Sequence, residues 1–180
     1  MSSHSLRVEP IGKHHRPILV DFKNQHEALA NYPRRIAKRH LRHDLVGGTF
    51  LAILTDEQKH ERVAGYFSMT TASLEREWSD GSGEFESFST QPRFPIPCVL
   101  LTRFAVDVRL QGQGFGTYLM EEVFEHLIGA LESNWLTSRV LLADAHDESA
   151  AAFFEHFGFS RLTNEYPVTM GLDLQRVLSL

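Results

Sequence analysis

The segment Gln111-Gly112-Gln113-Gly114-Phe115-Gly116 combines residue types and spacing that suggest chemistry. It follows an apolar run typical of a strand and precedes an apolar periodicity typical of a helix. Glycines let the backbone approach a ligand closely and adopt positive φ angles, and the first N–H groups of a helix attract an anion. The turn therefore predicts a phosphate ligand, although the glycine spacing alone is about equally consistent with a structural turn.

The spacing of these glycines excludes two common phosphate-binding loops. Gly112, Gly114 and Gly116 are followed by Thr117, so the third glycine of the dinucleotide fingerprint GxGxxG is absent. No Gly-Lys-Ser/Thr follows, which excludes the Walker A loop and its lysine.

The elements around the turn determine where it lies in the fold. Cys98 to Val106 is nearly all apolar and predicts a strand buried on both faces at the centre of a sheet. Phe115, Leu119, Val123 and Leu127 recur at every fourth position and predict a helix that begins at the glycines. Further strands are predicted at Leu6–Glu9, Thr49–Leu54, Val63–Ala72, Arg139–Ala143, Phe159–Leu162 and Val168–Leu174.

Three more helices and one long loop complete the prediction. A helical region runs from about Pro17 to Ala30, and a second helix has Pro33 in its first turn and extends to about His43. A third runs from Glu148 to His156, with Asp147 as N-cap and Gly158 as its stop. The glycines and prolines of Trp78–Pro97 predict a long surface loop.

Composition limits the classes of protein to consider. The chain has 180 residues, of which 42% are hydrophobic, which suits one domain with a sizeable core. No run is long and apolar enough to span a membrane, and a cytoplasmic protein is expected. The single cysteine, Cys98, excludes an intrachain disulfide and suits a buried hydrophobe. No HExxH or zinc spacing occurs, so no metal is predicted.

Two ordered motifs resemble those of a known family. The stretch from Leu101 to Gly116 resembles the acyl-CoA signature of the GNAT N-acetyltransferase superfamily, whose core is Gln/Arg-x-x-Gly-x-Gly/Ala. Gln111, Gly114 and Gly116 fill that core, and Asp147 to Phe159 resembles the second family block, a helix that ends in Gly-Phe. The resemblance implies an α/β (α+β type) fold: a mixed, mostly antiparallel central sheet flanked by helices in a single domain. That domain would span residues 1–180, with its acyl-CoA core at about 98–159.

Within the superfamily the chain most resembles the toxin-type branch, because its sequence from Pro97 to Asp107 follows the pattern of that branch. Members of that branch acetylate the amino group of aminoacyl-tRNA. The resemblance implies acetyl-CoA as co-substrate, direct attack by a primary amine, and aminoacyl-tRNA as one candidate acceptor. It also gives a homodimer as a family-level expectation.

The resemblance assigns roles to individual residues. Phe104 to Val106 would face the pantetheine arm, the Val106 N–H would polarise the thioester carbonyl, and Gln111 to Thr117 would hold the pyrophosphate. The implied cofactor residues are Phe104, Ala105, Val106, Gln111, Gly112, Gln113, Gly114, Phe115, Gly116, Thr117 and Asp147.

The chain departs from the family at the position of the catalytic acid. Phe154 aligns with a tyrosine whose hydroxyl protonates the departing sulfur, and a phenyl ring has no proton to give. Glu75 and His156 are weak candidates for the proton-transfer roles, since each suits a surface position at least as well.

A basic stretch offers a surface for an anionic acceptor. Arg35, Lys38, Arg39 and Arg42 would share one face of the second helix, and Arg34 adjoins them. Such a face suits the phosphates of RNA, but a solvated face is equally consistent, and the net charge of -5 opposes a generally basic protein. Two alternatives to an active enzyme therefore stay open: an acyl-CoA-binding module with little catalysis, and an RNA-binding protein that uses residues 34–42.

Overall fold

The computed structural model describes residues 5–44, 46–74 and 95–178. The strands are β1 (Ser5–Pro10), β2 (Gly48–Thr55), β3 (Glu61–Leu74), β4 (Ile96–Val106), β5 (Val140–Ala145), β6 (Ser160–Arg161) and β7 (Val168–Asp173). The α-helices are α1 (Arg16–Leu19), α2 (Glu27–Arg35), α3 (Ala37–Arg39), α4 (Phe115–Glu132), α5 (Glu148–His156) and α6 (Leu174–Leu178). Short 3-10 turns occupy Lys13–His15 and Val108–Leu110, and a π-helical turn occupies His40–Asp44.

The described strands form one seven-stranded sheet in the order β1-β2-β3-β4-β5-β7-β6. Antiparallel pairing joins β1 to β2, β2 to β3, β5 to β7 and β6 to β7, whereas β4 pairs with β5 in parallel. The predicted mixed, mostly antiparallel sheet with β4 at its centre is therefore confirmed. No helix in the described part of the chain is long and apolar enough to cross a membrane.

Contacts within the chain define two compact units, and the first comprises Met1–Thr70 and Thr102–Gly129. Its core is built from β2, β3, the end of β4 and the segment around α1 and α2. Inward-facing residues of that core include Leu19, Phe22, Leu51, Ile53, Tyr66 and Ala105. The apolar face of α4 is also buried, at Leu119, Met120, Val123 and Leu127, as its periodicity predicts.

The second unit comprises Thr71–Leu101 and Ala130–Leu180. Cys98 packs there against Val140 and Leu142, and burial raises the pKa of its thiol to about 11. The thiol therefore stays protonated near neutral pH, as expected of a buried hydrophobe. Asp147 caps α5 by accepting a hydrogen bond from the Ala150 N–H at 2.8 Å, and α5 has the predicted bounds.

The predicted helices between residues 17 and 43 are wrong in their bounds. The first ends at Leu19, α2 begins only at Glu27, and Pro33 lies inside α2 rather than in its first turn. Because proline has no N–H, it cannot bond the carbonyl four residues earlier, which belongs to Leu29. That carbonyl instead accepts the Tyr66 hydroxyl at 2.8 Å, so the packing of β3 satisfies the group that Pro33 leaves open.

The predicted second helix is also broken into pieces. The α2 helix stops at Arg35, α3 covers only Ala37–Arg39, and a π-helical turn follows. Elsewhere, the loop predicted for Trp78–Pro97 ends earlier, because Pro97 lies within β4, and residues 75–94 fall outside the described chain. The strand predicted at Phe159–Leu162 is reduced to Ser160–Arg161.

Candidate functional site

The glycine turn between β4 and α4 adopts the backbone conformation that its glycines allow. Gly112 and Gly114 have φ angles of +72° and +85°, in the left-handed region that favours glycine. A Cβ built at either position would meet no atom within 4 Å, so both face open space. The turn therefore presents bare backbone to whatever occupies that space.

The start of α4 supplies hydrogen-bond donors beside these glycines. Its first intrahelical bond runs from the Tyr118 N–H to the Gly114 carbonyl at 3.1 Å. The N–H groups of Phe115, Gly116 and Thr117 precede that bond and have no acceptor one turn earlier in the helix. No acidic residue lies in this first turn. The arrangement is a cradle for an anion, with the positive end of an 18-residue helix behind it.

The side chains of the two glutamines in the turn donate to backbone carbonyls of the residues just before it. Gln111 Nε2 donates to the Val106 carbonyl at 3.2 Å, and Gln113 Nε2 donates to the Arg109 carbonyl at 2.9 Å. Their side chains thus stabilise the turn itself, which leaves backbone groups to contact an anion. Of the residues predicted to bind the cofactor, Phe104–Val106 and Gln111–Thr117 lie in one continuous stretch of the first unit.

A buried aspartate anchors the beginning of the turn. The Asp107 side chain is 1% exposed and accepts four hydrogen bonds: from the Arg109 N–H, from Arg109 Nε and Nη2, and from the Lys23 N–H, at 2.8–3.0 Å. Burial alone raises the pKa of Asp107, but the Arg109 and Lys23 donors outweigh it and hold the pKa below its ordinary value. Arg109 also binds the Asp21 carboxylate at 2.9 Å. The turn and the Asp21–Asn24 segment are consequently tied together.

The last residue of β4 is held from several sides. The Val106 carbonyl accepts hydrogen bonds from Asn24 Nδ2 at 3.1 Å and from Gln111, and the Asp107 N–H donates to the Ala64 carbonyl at 2.8 Å. Across the sheet, a Cβ on Gly65 would lie 2.8 Å from the Ala105 carbonyl oxygen. Gly65 therefore permits β3 to lie close to the end of β4.

Asn24, Gly65 and the Asp107–Arg109 pair were missed as site residues by the sequence analysis. An isolated glycine inside a predicted strand is a signal of close backbone approach, so Gly65 could have been found. Asn24 gives no such signal, because the atoms that it contacts lie 82 residues away in the chain.

Two of the three tyrosines of the first unit, Tyr66 and Tyr118, have raised pKa values. Tyr66 is fully buried, its hydroxyl is committed to the Leu29 carbonyl, and burial raises its pKa. Tyr118 lies in α4, and burial together with a hydrogen bond to Glu122 raises its pKa. Both hydroxyls therefore keep their protons near neutral pH.

Three predicted site residues of the second unit, Phe154, His156 and Asp147, make contacts within that unit. Phe154 is 6% exposed and its ring packs at 5.7 and 5.3 Å from those of Phe153 and Phe159. His156 is exposed and packs edge-on against Phe157. The Asp147 carboxylate is engaged as the N-cap of α5. Glu75 lies outside the described residues.

The residues of the predicted cationic face differ in their contacts. Arg34 donates from Nε to the Leu19 carbonyl at 2.8 Å and from Nη2 to the Phe22 carbonyl, so it braces α2 against α1. Arg39 pairs with Asp44 at 3.2 Å. The stretch that carries Arg35, Lys38, Arg39 and Arg42 is interrupted at Ile36 and passes into a π-helical turn at His40.

A basic cluster overlaps the predicted set, and we define it as Lys13, Arg16, Lys38 and Arg42. Burial, followed by the positive charges of Arg16, Arg42 and Lys13, lowers the pKa of Lys38. Like charges gathered from two stretches of the chain, residues 13–16 and 38–42, favour an anionic partner. Lys13 and Arg16 were not predicted, because they precede the cationic stretch by more than 15 residues.

One group of side chains has ligand types suited to a metal. Single ligand atoms of Glu9, His14 and His15 lie within 4.8 Å of one another. However, His15 Nδ1 accepts the Gly12 N–H at 2.8 Å, which requires the proton of a neutral His15 to lie on Nε2, facing Glu9 Oε1 at 2.5 Å. This nitrogen is therefore a hydrogen-bond donor to Glu9, and the group is a structural link between β1 and the turn after it.

A surface cavity of about 220 Å³ lies at the turn between β2 and β3. Its lining is Leu54, Asp56, His60, Glu61 and Arg62, and it includes none of the predicted site residues.

Comparison with known proteins gives a family match over the described site. Residues 53–161 match the profile of the acetyltransferase (GNAT) domain. A tRNA-acetylating toxin of Mycobacterium tuberculosis is 28% identical over 141 residues, which cover 78% of this chain and 77% of that protein.

Solved structures give the same fold over nearly the whole chain. The crystal structure of a tyrosine-to-phenylalanine mutant of KacT is 25% identical and has a TM-score of 0.80, covering 97% of this chain and 98% of that one. The structure of AtaT complexed with acetyl-methionyl-tRNAfMet is 21% identical, with a TM-score of 0.79 and the same coverage. The latter likeness shows the fold alone.

Proposed function

Because the chain belongs to the GNAT acetyltransferase family, we propose that it moves the acetyl group of acetyl-CoA to a primary amine, and that this amine is carried by aminoacyl-tRNA. We further propose that residues 1–180 work as one GNAT-like domain, with the acyl-CoA core at about 98–159. A homodimer remains the family-level expectation.

The observation that carries the proposal is the anion cradle at Gly112–Thr117. It has two left-handed glycines with open space where a Cβ would lie, followed by the first N–H groups of α4, which have no acceptor within the helix. The pyrophosphate of CoA is an anion of suitable charge and size for such donors. The residues present therefore fit acetyl-CoA.

Once acetyl-CoA and the amine are bound side by side, acetyl transfer needs only a donor to the thioester carbonyl, an adequate leaving group and correct orientation of the amine. The Val106 N–H would donate to the thioester carbonyl oxygen as negative charge develops there. The thiolate of CoA is an adequate leaving group near neutral pH, because the pKa of a free thiol is about 8.5. Direct attack by the amine then depends mainly on orientation, which the backbone around Val106 and the turn supplies.

The basic cluster and the named relatives support tRNA as the acceptor. One relative is a tRNA-acetylating toxin, and AtaT has been captured with an acetylated methionyl-tRNA. Lys13, Arg16, Lys38 and Arg42 would contact phosphates, which dominate the affinity of proteins for nucleic acid. Arg34 is left out of this surface because its guanidinium binds backbone carbonyls.

Transfer of label tests the proposal. The protein is incubated with acetyl-labelled acetyl-CoA and either charged or deacylated total tRNA, followed by a panel of small amines. Label should enter charged tRNA and be absent from deacylated tRNA. Transfer to small amines alone would refute the tRNA acceptor, and transfer to no amine would refute the proposed function.

A second candidate function is an acyl-CoA-binding module with little catalysis, and the buried phenyl ring of Phe154 favours it. Phe154→Tyr restores the hydroxyl that the family motif carries at this position. We expect kcat to rise about tenfold, less than the roughly 10²–10⁴-fold that a well-positioned acid contributes.

Phe153→Tyr is the matched control for this variant, because it adds the same hydroxyl one residue earlier on α5. Steady-state rates for both variants at saturating acetyl-CoA decide the matter. A rate for Phe154→Tyr equal to that of the control would show that this position no longer serves an acid.

The basic cluster gives a further prediction about RNA. Lys38→Gln/Arg42→Gln should weaken tRNA binding about tenfold and reduce the slope of log affinity against log salt by about 2, one for each lost phosphate contact. Fluorescence anisotropy with labelled tRNA at several salt concentrations measures both quantities.

The control for the cluster is Lys59→Gln/Arg62→Gln, which removes the same charge at the β2–β3 turn. If the two double variants weaken binding equally, net charge alone governs the affinity and the cluster is not the RNA surface.

A further inference from the structure

One peptide unit at the end of β4 is fixed at both ends by hydrogen bonds. The Val106 carbonyl oxygen accepts from Asn24 Nδ2 at 3.1 Å and from Gln111 Nε2 at 3.2 Å, which uses both of its lone pairs. The N–H at the other end of the unit, that of Asp107, donates to the Ala64 carbonyl at 2.8 Å. This plane therefore cannot rotate without breaking three hydrogen bonds.

Asn24 is itself oriented to make its contact. Its Oδ1 accepts the His26 N–H at 2.9 Å, which leaves Nδ2 directed at the Val106 carbonyl. The segment that carries Asn24 is tied to the same region by Lys23, whose N–H donates to the Asp107 carboxylate and whose carbonyl accepts the Val108 N–H at 2.9 Å. Asn24 thus reaches Val106 from a backbone that is already held in place.

We propose that Asn24 is a positioning residue for acetyl transfer. The Val106 N–H belongs to the preceding peptide unit, which is joined to the fixed unit at the Val106 Cα. By fixing the peptide plane on the carboxyl side of Val106, Asn24 restricts rotation at Val106 and so keeps its N–H in one direction. The inference rests on the proposed function, which assigns that N–H to the thioester carbonyl oxygen. Oxyanion donors are sensitive to direction, so loss of this restraint should slow the chemical step more than it weakens acetyl-CoA binding.

Asn24→Asp separates this role from local folding. The variant keeps the Oδ1 acceptor for the His26 N–H but replaces the amide donor with an oxygen that repels the Val106 carbonyl. Asn31→Asp is the matched control, because the Asn31 amide also donates, to Glu27 Oε1 at 3.1 Å, on the exposed side of α2. Asn24→Ser is a second test variant that adds no charge: its shorter side chain carries one hydroxyl, which can accept the His26 N–H, and lacks the amide group that reaches the Val106 carbonyl.

Steady-state kinetics with charged total tRNA and varied acetyl-CoA measure the effect. For Asn24→Asp we expect kcat to fall about tenfold, less than the roughly 10²–10³-fold loss when an oxyanion donor itself is removed, with KM for acetyl-CoA within about threefold. Asn24→Ser should lose kcat in the same direction. Asn31→Asp should change neither constant more than about twofold, within the usual effect of a surface substitution.

The outcomes are distinguishable. An unchanged kcat in both Asn24 variants, or a raised KM with normal kcat, would overturn the role of Asn24 while wild-type transfer still supports the proposed function. Absence of transfer by the wild-type protein would instead overturn the proposed function, and the inference with it.

Discussion

Gly114→Glu should lower the affinity for acetyl-CoA by at least about 100-fold, equivalent to about 2.7 kcal/mol of binding free energy. A Cβ added at residue 114 would meet only open space, so the substitution extends a carboxylate into the space beside the start of α4. It would repel the pyrophosphate and occupy its position. The left-handed backbone at residue 114 adds a strain of about 1–2 kcal/mol to the folded protein, which is small compared with the effect on binding.

Gly129→Glu provides the matched control for charge and size. Gly129 is exposed in α4, and its Cβ position is equally open, but it lies well past the first turn of the helix. Isothermal titration calorimetry should give wild-type affinity for this control and no measurable heat for Gly114→Glu at the same concentrations. Retained binding by Gly114→Glu would mean that the glycine turn is structural, which its spacing alone also allowed.

Asp107→Asn should destabilise the fold by about 3 kcal/mol, because an amide cannot accept all four hydrogen bonds of the buried carboxylate, and a buried donor left unsatisfied costs about 1–3 kcal/mol. Asp107 accepts four hydrogen bonds, and an amide at this position would turn a donor toward Arg109 or the Lys23 N–H. Urea unfolding at pH 7 measures the change in the free energy of unfolding.

Asp21→Asn is the control, since Asp21 pairs with the same arginine but is 55% exposed. Exposed pairs contribute about 0–1 kcal/mol, so this variant should lie close to wild type. Equal losses in both variants would contradict the assignment of Asp107 as the anchor.

The same carboxylate predicts a dependence of stability on pH. The folded-state pKa of Asp107 is lowered, so its contribution is complete above the unfolded-state pKa of about 3.9 and is lost as the pH falls through the lower folded value. The difference in unfolding free energy between wild type and Asp107→Asn should therefore be constant from pH 5 to 7 and shrink below about pH 4.

Features decided by local chemistry were predictable from the sequence. The glycine turn, the helix that follows it and the Asp147 cap all depend on residues within a few positions of one another. The bounds of α5 and the central position of β4 follow from the same kind of pattern. The family motifs lie in these segments, which is why the resemblance located the turn correctly.

Features decided by distant partners were not predictable. Pro33 is accommodated inside α2 because Tyr66, 33 residues later, satisfies the Leu29 carbonyl. The Arg34 guanidinium donates to the carbonyls of Leu19 and Phe22, which lie 15 and 12 residues earlier in the chain. The spacing of the cations assumed one continuous helix, whereas the structure has an interruption at Ile36 and a π-helical turn from His40.

A titration of the ¹⁵N-labelled protein with acetyl-CoA, followed by amide NMR, tests the central claim most directly. The N–H signals of Gly114, Phe115, Gly116 and Thr117 should shift most, and that of Val106 should respond to acetyl-CoA more than to CoA without its acetyl group. Unchanged signals across residues 111–117 at saturating acetyl-CoA would contradict the claim that this turn binds the cofactor.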